Sequence, residues 1–159
     1  MKDFQIIDYR PEYQPYFERF NKAWLEEYFV VEPIDEWVLG QPEEAVLKEG
    51  GRIYFAQYAG NIIGTMALKL VEPGVLELTK MAVDKPYQGL GAGRFLCQTA
   101  ISKAREHGAH KLLLYSHTSL APALGIYRCL GFREVPLERG KYARADIMME
   151  LELLTVPFS

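Results

Sequence analysis

The sequence predicts an α+β fold with α/β/α layers: a mixed, mostly antiparallel sheet of about six or seven strands, flanked by about four helices. Three observations support this prediction. Two helical periodicities come first, three strands that turn back on one another follow, and helices then alternate with strands. The length of 159 residues, 49% of them hydrophobic and 25% charged, suits a single domain over residues 1–159.

The first quarter of the chain predicts one strand and two helices. Phe4 to Tyr9 is apolar and aromatic enough for a short strand. From Glu12 to about Tyr28, apolar residues recur at three- and four-residue spacing, which is typical of an amphipathic helix. Pro33 ends that helix, and a second one is predicted to run as far as Lys48, where Gly50-Gly51 stops it.

A meander of three strands follows. Arg52 to Tyr58 and Ile62 to Leu70 are rich in β-branched and aromatic residues, and Gly60-Asn61 between them predicts a hairpin. Pro73-Gly74 makes the next turn, and Val75 to Val83 forms the third strand. Beyond it, the predicted elements are a helix around Phe95 to Gly108, a strand at Lys111 to Tyr115, a helix at Ala121 to Leu130, and strands at Phe132 to Val135 and Ala145 to Leu153.

The composition predicts a soluble, cytoplasmic protein. Cys97 and Cys129 lie in apolar stretches and share no short spacing, so both are expected to be reduced thiols in the core. The first residues lack the apolar stretch of a signal peptide. No apolar run reaches the roughly 20 residues of a membrane helix.

The charges argue against a nucleic-acid partner. The net charge is −3 and lysine and arginine form no block, whereas nucleic-acid binding needs a clustered basic surface. His107, His110 and His117 do not have the spacing of metal ligands. We therefore expect no nucleic acid, no membrane and no metal.

A glycine-rich loop after the third meander strand carries most of the functional information. Gln88-Gly89-Leu90-Gly91-Ala92-Gly93 follows the strand and leads directly into a helix. Glycines have no Cβ, so backbone N–H groups can approach a ligand closely, and the N-terminus of a helix adds unpaired donors and a positive dipole end. The pattern predicts a phosphate-binding loop, with a glycine-rich turn without ligand as the alternative.

Two common phosphate-binding loops are excluded. A P-loop ends in Gly-Lys-Ser or Gly-Lys-Thr, whereas Gly93 is followed by Arg94. A dinucleotide-binding loop places its third glycine three residues after the second and has an acidic residue near the end of the next strand. Here Gly93 comes two residues after Gly91, and Lys111 to Tyr115 contains no acid.

Two motifs resemble those of the GNAT superfamily of acyl-CoA N-acyltransferases. Gln88 to Gly93 matches its Q/R-x-x-G-x-G/A signature, and Lys80 to Val83 resembles the strand that leads into it. Ala123 to Phe132 is similar to a second signature, a helix that carries a tyrosine and ends in Gly-Phe; Gly125 stands where many relatives have asparagine. The tail, Tyr142 to Leu151, resembles a bacterial subgroup whose domain also occurs fused to MarR-type regions. The resemblance extends over essentially the whole chain.

The resemblance implies that acetyl-CoA binds as co-substrate, without a metal, and that its acetyl group passes directly to an amine. The loop would bind the pyrophosphate, and the pantetheine arm would pair with a strand that parts from its neighbour. A free N–H near the end of that strand would polarise the thioester carbonyl. The residues implied are Met81, Ala82, Val83, Gln88, Gly89, Leu90, Gly91, Ala92, Gly93, Arg94 and Tyr127.

Two catalytic residues are implied as well. Tyr127 is the candidate acid for the departing thiolate, because a phenol of pKa about 10 can donate to a thiolate of pKa about 8.5. Glu77 is the candidate base for the amine, and His117 or water are the alternative bases. The other interpretation of Glu77 is an exposed carboxylate that serves only solubility. Strand alternation predicts one face shared by Glu77, Thr79, Met81 and Val83.

The amine acceptor is expected on the far side of the parted strands, between the first two helices and the final hairpin. Arg144 would favour a substrate carboxylate, and Glu32 would favour a cation. The candidate substrate-binding residues are Tyr28, Glu32, Trp37, His117, Tyr142 and Arg144. An acidic chain without a docking tract favours a small amine or amino acid over a protein.

Three other functions stay open at this point. The chain could be a non-catalytic acyl-CoA sensor, a protein or peptide N-acetyltransferase, or an interaction domain without a cofactor. A homodimer is a further expectation, since the C-terminal strand could form a dimer edge.

Overall fold

The computed structural model describes residues 3–137 and 142–153. Its strands are β1 (Phe4–Asp8), β2 (Arg52–Tyr58), β3 (Asn61–Glu72), β4 (Val75–Val83), β5 (Lys111–Ser116), β6 (Arg133–Val135) and β7 (Ile147–Glu152). Its α-helices are α1 (Gln14–Tyr28), α2 (Pro33–Gly40), α3 (Ala92–Glu106) and α4 (Ala121–Cys129). Within these ranges, no helix combines the length and apolarity needed to cross a bilayer.

The described strands form one mixed sheet in the order β1-β2-β3-β4-β5-β7-β6. The pair β4–β5 is parallel, and the other neighbours are antiparallel. The parallel pair requires a crossover, which α3 provides. The α+β class and the mostly antiparallel sheet predicted from the sequence are thereby confirmed.

Hydrophobic side chains cover both faces of the sheet. On one face, α3 packs Leu96, Cys97 and Ala100 against a cluster that includes Met66 and Leu68 of β3. On the other, α1 and α2 contribute Phe17, Leu25 and Val38 to a cluster that includes Phe55 and Ala67. Fully burying a leucine or phenylalanine contributes about 1.5–3 kcal/mol. The sheet is therefore held between two helical layers.

The second helix is shorter than predicted. It ends at Gly40, and Gln41 leaves the helical region with φ −131° and ψ 57°. Pro42 follows, and a separate π-helical turn spans Glu43–Leu47. Proline lacks the backbone N–H that would continue the ladder, and its ring disfavours a helical residue before it. The predicted helix to Lys48 is thus two elements.

Two further expectations are wrong. Cys97 is buried as predicted, but Cys129 is exposed at the end of α4, because its helix turns that side chain away from the sheet. The C-terminal strand β7 lies between β5 and β6, so it is not a free sheet edge. The short strand β6 occupies the edge instead, with Arg133 and Glu134 exposed.

Candidate active site

The glycine-rich loop joins the end of β4 to the start of α3. Gly89 and Gly91 have φ values of 84° and 92°, a region that favours glycine. A Cβ placed at Gly89, Gly91 or Gly93 would meet no atom within 4 Å. All three glycines therefore border open space where a side chain would lie, and are not packed against other parts of the protein.

The N-terminus of α3 faces this loop without a side-chain cap. Gly91 is the N-cap residue and its helix begins at Ala92, so the first-turn N–H groups have no intrahelical acceptor. Gln88 ties the loop back to β4 through a bond of 3.1 Å from its Nε2 to the Val83 carbonyl. Unpaired donors, the dipole of a 15-residue helix and the exposed Arg94 make a cradle that suits a phosphate group.

The strands β4 and β5 pair over three residues and then part. Their register runs from Val75 opposite Lys111 to Glu77 opposite Leu113. The remainder of β4, as far as Val83, continues to pair with β3 but not with β5. The backbone edge of β4 that precedes the phosphate loop is therefore available to a ligand.

A bulge lies within this parted section of β4. The β3–β4 register passes from Ala67 opposite Thr79 to Thr65 opposite Ala82, so that two β4 residues oppose one β3 residue. Lys80 has a φ of 54°, which is unusual for a residue with a side chain. Bulges leave one residue outside the regular ladder and bend the strand. The backbone of β4 is therefore irregular at Lys80 and Met81, directly before Ala82 and Val83.

The bulge overturns the predicted strand face. Met81 and Val83 pack with the α3-side cluster, together with Leu78, whereas Glu77 and Thr79 contact Tyr142 on the opposite side. Simple alternation fails because an extra residue reverses the side of every residue that follows it.

Four charged side chains form what we call the buried charge cluster on the α1/α2 side of the sheet: Asp35 and Lys80, which are buried, and Glu32 and Arg144, which are partly buried. Asp35 accepts hydrogen bonds from Lys80 Nζ at 2.7 Å and from Arg144 Nη1 and Nη2 at 2.8 and 3.0 Å. Arg144 also donates to Glu32 at 2.9 Å. Arg144 and Glu32 therefore neutralise each other, and either could bind a substrate charge only by exchanging these partners.

The cluster shifts the protonation of its members in opposite directions. Burial by itself raises the pKa of Asp35, but the hydrogen bonds from Arg144 and the charge of Lys80 outweigh it and lower that pKa to about 2. Burial lowers the pKa of Lys80 even though Asp35 opposes the change. Sequence reasoning did not identify Asp35 or Lys80 as site residues; the one signal was a lysine inside the apolar strand β4.

Glu77 lies deep in the sheet and not on its surface. It is 1% exposed and accepts a hydrogen bond of 3.2 Å from the Tyr142 hydroxyl. The interpretation of Glu77 as an exposed solubility residue is thus wrong. Its position opposite Leu113 is the last pair before β4 and β5 separate.

Tyr127 lies on α4, where its ring packs edge-on against Phe132 at 5.8 Å. Burial, with a smaller effect of the Cys97 thiol, raises the pKa of Tyr127 above the value of an ordinary phenol. The phenol is therefore a weaker acid than the ordinary phenol, of pKa about 10, that was expected from the sequence. The side chain consequently stays protonated over the whole neutral range, as a proton donor must.

The remaining predicted residues lie apart from the cluster. Both ring nitrogens of His117 have partners: Nδ1 accepts the Ser119 N–H at 3.0 Å, and Nε2 lies 3.5 Å from Asp146. Tyr28, at the end of α1, and Trp37, in α2, are each 50% exposed. Because the Nδ1 lone pair accepts an N–H, His117 is poorly placed to act as the base.

Comparison with known proteins identifies the family. Residues 7–132 match the model of the acetyltransferase (GNAT) family. The chain belongs to the GNAT family. It is accordingly an acyl-CoA-dependent N-acyltransferase, as the two motifs implied. Among the described residues, no group of three or more histidines, cysteines or acids is arranged to hold a metal ion.

Two relatives differ in the acceptor that their names specify. The [ribosomal protein bS18]-alanine N-acetyltransferase of Escherichia coli K12 is 32% identical over 99 residues, which are 60% of this GNAT chain and 67% of the relative. A mycothiol acetyltransferase of Thermomonospora curvata is 34% identical over 80 residues, covering 50% of this chain and 27% of the relative.

Two solved structures share the GNAT fold over their whole length. An acetyltransferase of the family from Staphylococcus aureus Mu50 has a TM-score of 0.83 at 24% identity and covers 96% of this chain and 100% of its own. A Salmonella typhimurium acetyltransferase with its cofactor acetyl-CoA has a TM-score of 0.74 at 20% identity, with coverages of 99% and 98%. At these identities the likeness concerns the fold.

Proposed function

We propose that this protein transfers the acetyl group of acetyl-CoA directly to the primary amine of a small molecule or amino acid. The observation that carries the proposal is the open glycine loop at the head of α3, adjacent to the unpaired edge of β4. A diphosphate fits the loop, because its donors are uncapped and its glycines leave room. An amide-containing arm fits the edge, because strand backbone can pair with it.

Acetyl-CoA supplies an activated acetyl group as a thioester. The N–H groups of Gly89 to Arg94 bind its pyrophosphate, and Met81, Ala82 and Val83 pair with its pantetheine arm. The irregular backbone at the β4 bulge offers an N–H to the carbonyl oxygen, where negative charge develops. Tyr127 donates its proton to the departing sulfur, and Glu77 receives the proton that the amine loses.

The acceptor binds on the α1/α2 side of the parted strands in this proposal. Tyr28 and Trp37 offer exposed aromatic surface there, and His117, Tyr142, Glu32 and Arg144 complete the candidate substrate-binding set. A peptide or protein N-terminus is the second candidate acceptor, because the relative from Escherichia coli K12 is named for an alanine of a ribosomal protein.

The experiment is a screen of acceptors with release of the CoA thiol as the measurement. Small amines, free amino acids and peptides with N-terminal alanine are each incubated with acetyl-CoA, and products are identified by mass. We expect turnover with a small amine or amino acid. Turnover restricted to peptides would instead support the second candidate.

Binding measured alongside separates catalysis from sensing. Acetyl-CoA at about 100 times its Kd should raise the free energy of unfolding by about 2.7 kcal/mol, which a thermal-shift assay detects. Binding without turnover for any acceptor would identify a sensor. Absence of both binding and turnover would reject the proposed function.

The proposal includes the setting of the enzyme. We propose that residues 1–159 form a single domain and that the protein is cytoplasmic. We also propose that it belongs to the bacterial subgroup whose domain also occurs fused to MarR-type regions. A homodimer is the oligomeric state that we propose to test. Size-exclusion chromatography with light scattering tests the dimer.

A further inference from the structure

The ring of Tyr142 spans the opening between β4 and β5. On the β4 side, its hydroxyl lies 3.2 Å from Glu77 Oε2 and 3.3 Å from Thr79 Oγ1. On the β5 side, its ring meets Tyr115 edge-on at 5.8 Å. The strands stop pairing at Glu77 and Leu113, so Tyr142 lies across the gap from the α1/α2 side.

Both residues are buried, Glu77 more completely than Tyr142. Glu77 is 1% exposed, whereas Tyr142 retains 8% of its surface. The hydroxyl of Tyr142 donates its proton to Glu77, so the Thr79 hydroxyl is the donor in the second bond, and one lone pair of the phenol oxygen remains for a further donor. A substrate N–H that reaches the phenol oxygen would be connected to the Glu77 carboxylate through a single hydrogen bond.

Charged groups hold Tyr142 in place from two directions. Lys80 Nζ, from β4, lies 4.9 Å from the ring centre, and Arg144 Cζ lies 4.8 Å from it. Asp35 of α2 bonds to both cations, and Glu32, the N-cap residue of α2, bonds to Arg144. Moving the ring aside would disturb this buried network, so a fixed role for the hydroxyl fits better than a swinging gate.

We propose that Tyr142 is a second catalytic tyrosine, whose hydroxyl relays a proton from the acceptor amine to Glu77. This inference rests on the proposed N-acetyltransferase function. Burial, and then the Glu77 carboxylate beside it, raise the pKa of Tyr142. A relay tolerates that shift because the phenol gives one proton as it takes another and never carries a full charge.

The relay and the transfer conserve the number of protons. The bound ammonium gives one proton to Tyr142 Oη while the Tyr142 proton moves to Glu77 Oε2, which leaves a neutral amine, a neutral phenol and a protonated carboxyl. The amine nitrogen bonds to the acetyl carbon as the carbon–sulfur bond breaks. The sulfur takes the Tyr127 proton, the second amine proton restores Tyr127, and Glu77 returns its proton to water.

The test compares Tyr142→Phe with Tyr54→Phe. Tyr54 is another buried tyrosine whose hydroxyl bonds to His107 at 3.2 Å, on the α3 side of the sheet. We expect Tyr142→Phe to lower kcat by about 10²-fold, at the low end of general acid–base contributions, with the KM for acetyl-CoA within about twofold. Tyr54→Phe should leave kcat unchanged. Wild-type kcat in Tyr142→Phe would overturn the relay and leave the transferase function standing.

A series of acceptor amines distinguishes a relay from a structural role. The Tyr142→Phe defect should shrink as the amine pKa falls below the assay pH, because a neutral amine needs no deprotonation before attack. A defect equal for all amines would overturn the relay. Lack of turnover by the wild-type chain with every amine would overturn the proposed function and the relay together.

A double-mutant cycle with Glu77→Gln provides the second test. If both residues act on one proton, the double variant should be no slower than the slower single variant. Independent, multiplicative losses would overturn the relay. Acetyl-CoA binding measured by calorimetry confirms that each variant is folded, and its retention is expected in all three.

Discussion

At the scale of single residues, burial determines what the candidate catalytic groups can do. Tyr127 and Tyr142 are phenols whose pKa is raised, so both remain protonated at neutral pH. Glu77 is enclosed by the sheet and bonded to one of them. These three side chains therefore suit proton transfer over short hydrogen bonds better than exchange with bulk water.

The prediction at this scale concerns Tyr127. Replacement by phenylalanine should lower kcat by about 10²-fold, since the departing thiolate would lose its proton donor, while acetyl-CoA affinity is retained. Steady-state kinetics and calorimetry measure the two quantities. Tyr13→Phe is the matched control, because Tyr13 also packs edge-on against a phenylalanine, at 5.5 Å, but in the cluster on the α1/α2 side of the sheet. A kcat unaffected in Tyr127→Phe would remove this residue from the chemistry.

At the scale of elements, the loop, the helix α3 and the bulged strand β4 act as one unit. The strand ends where the loop begins, and the loop supplies the N-cap of the helix. Gln88 hydrogen-bonds to the Val83 carbonyl, which holds the edge of β4 at a fixed position relative to the N-terminus of α3. A ligand with a diphosphate and an amide arm can therefore contact both.

The prediction at this scale compares two glycines. Gly91→Ala and Gly60→Ala both place a side chain at positive φ, 92° and 83°, with no atom within 4 Å of the new Cβ. Each should lose about 1–2 kcal/mol of stability. Gly91→Ala alone should weaken acetyl-CoA binding, by about tenfold or more, because its methyl enters the space of the phosphate. Calorimetry decides, and equal affinities of the two variants would contradict a phosphate-binding role.

At the scale of the whole molecule, the buried charge cluster connects distant parts of the chain. Asp35 on α2 binds Lys80 on β4 and Arg144 in the segment before β7. Removing Asp35 would take from the buried Lys80 the carboxylate to which it bonds, and breaking a buried ion pair in this way typically costs about 3–5 kcal/mol. The cluster therefore fixes how the first helices and the C-terminal segment close over the parted strands.

The prediction at this scale is an acid-dependent stability. The pKa of Asp35 is lowered from 3.8 to about 2, so its stabilising effect is complete above about pH 4 and is lost as the pH falls toward 2. That shift corresponds to about 2 kcal/mol. Denaturant unfolding across this range should show the loss in the wild type and in the control Glu36→Gln, because Glu36 is an exposed carboxylate that pairs with Lys22 at 3.2 Å.

In Asp35→Asn, the free energy of unfolding should not show the loss between about pH 4 and pH 2 that Asp35 causes in the wild type. It should also be less stable near neutral pH, since Lys80 and Arg144 lose a charged partner. If the free energy of unfolding of Asp35→Asn fell with pH as steeply as that of the wild type, the cluster would not titrate as described.

The sequence by itself determined the order of the elements, the glycine loop and the family, because these depend on local periodicity and on residues close together in the chain. It also gave Tyr127 and Glu77 as candidate catalytic residues, which stay predictions. Only the tertiary structure decided that Glu77 is enclosed, that Glu32 and Arg144 bind each other, and that Asp35 and Lys80 join them. Those contacts link residues that are 45 or more positions apart in the sequence. A single extra residue in β4 also reverses the side of the sheet on which the later β4 side chains lie. Local patterns do not encode such pairings, since they arise when the chain packs.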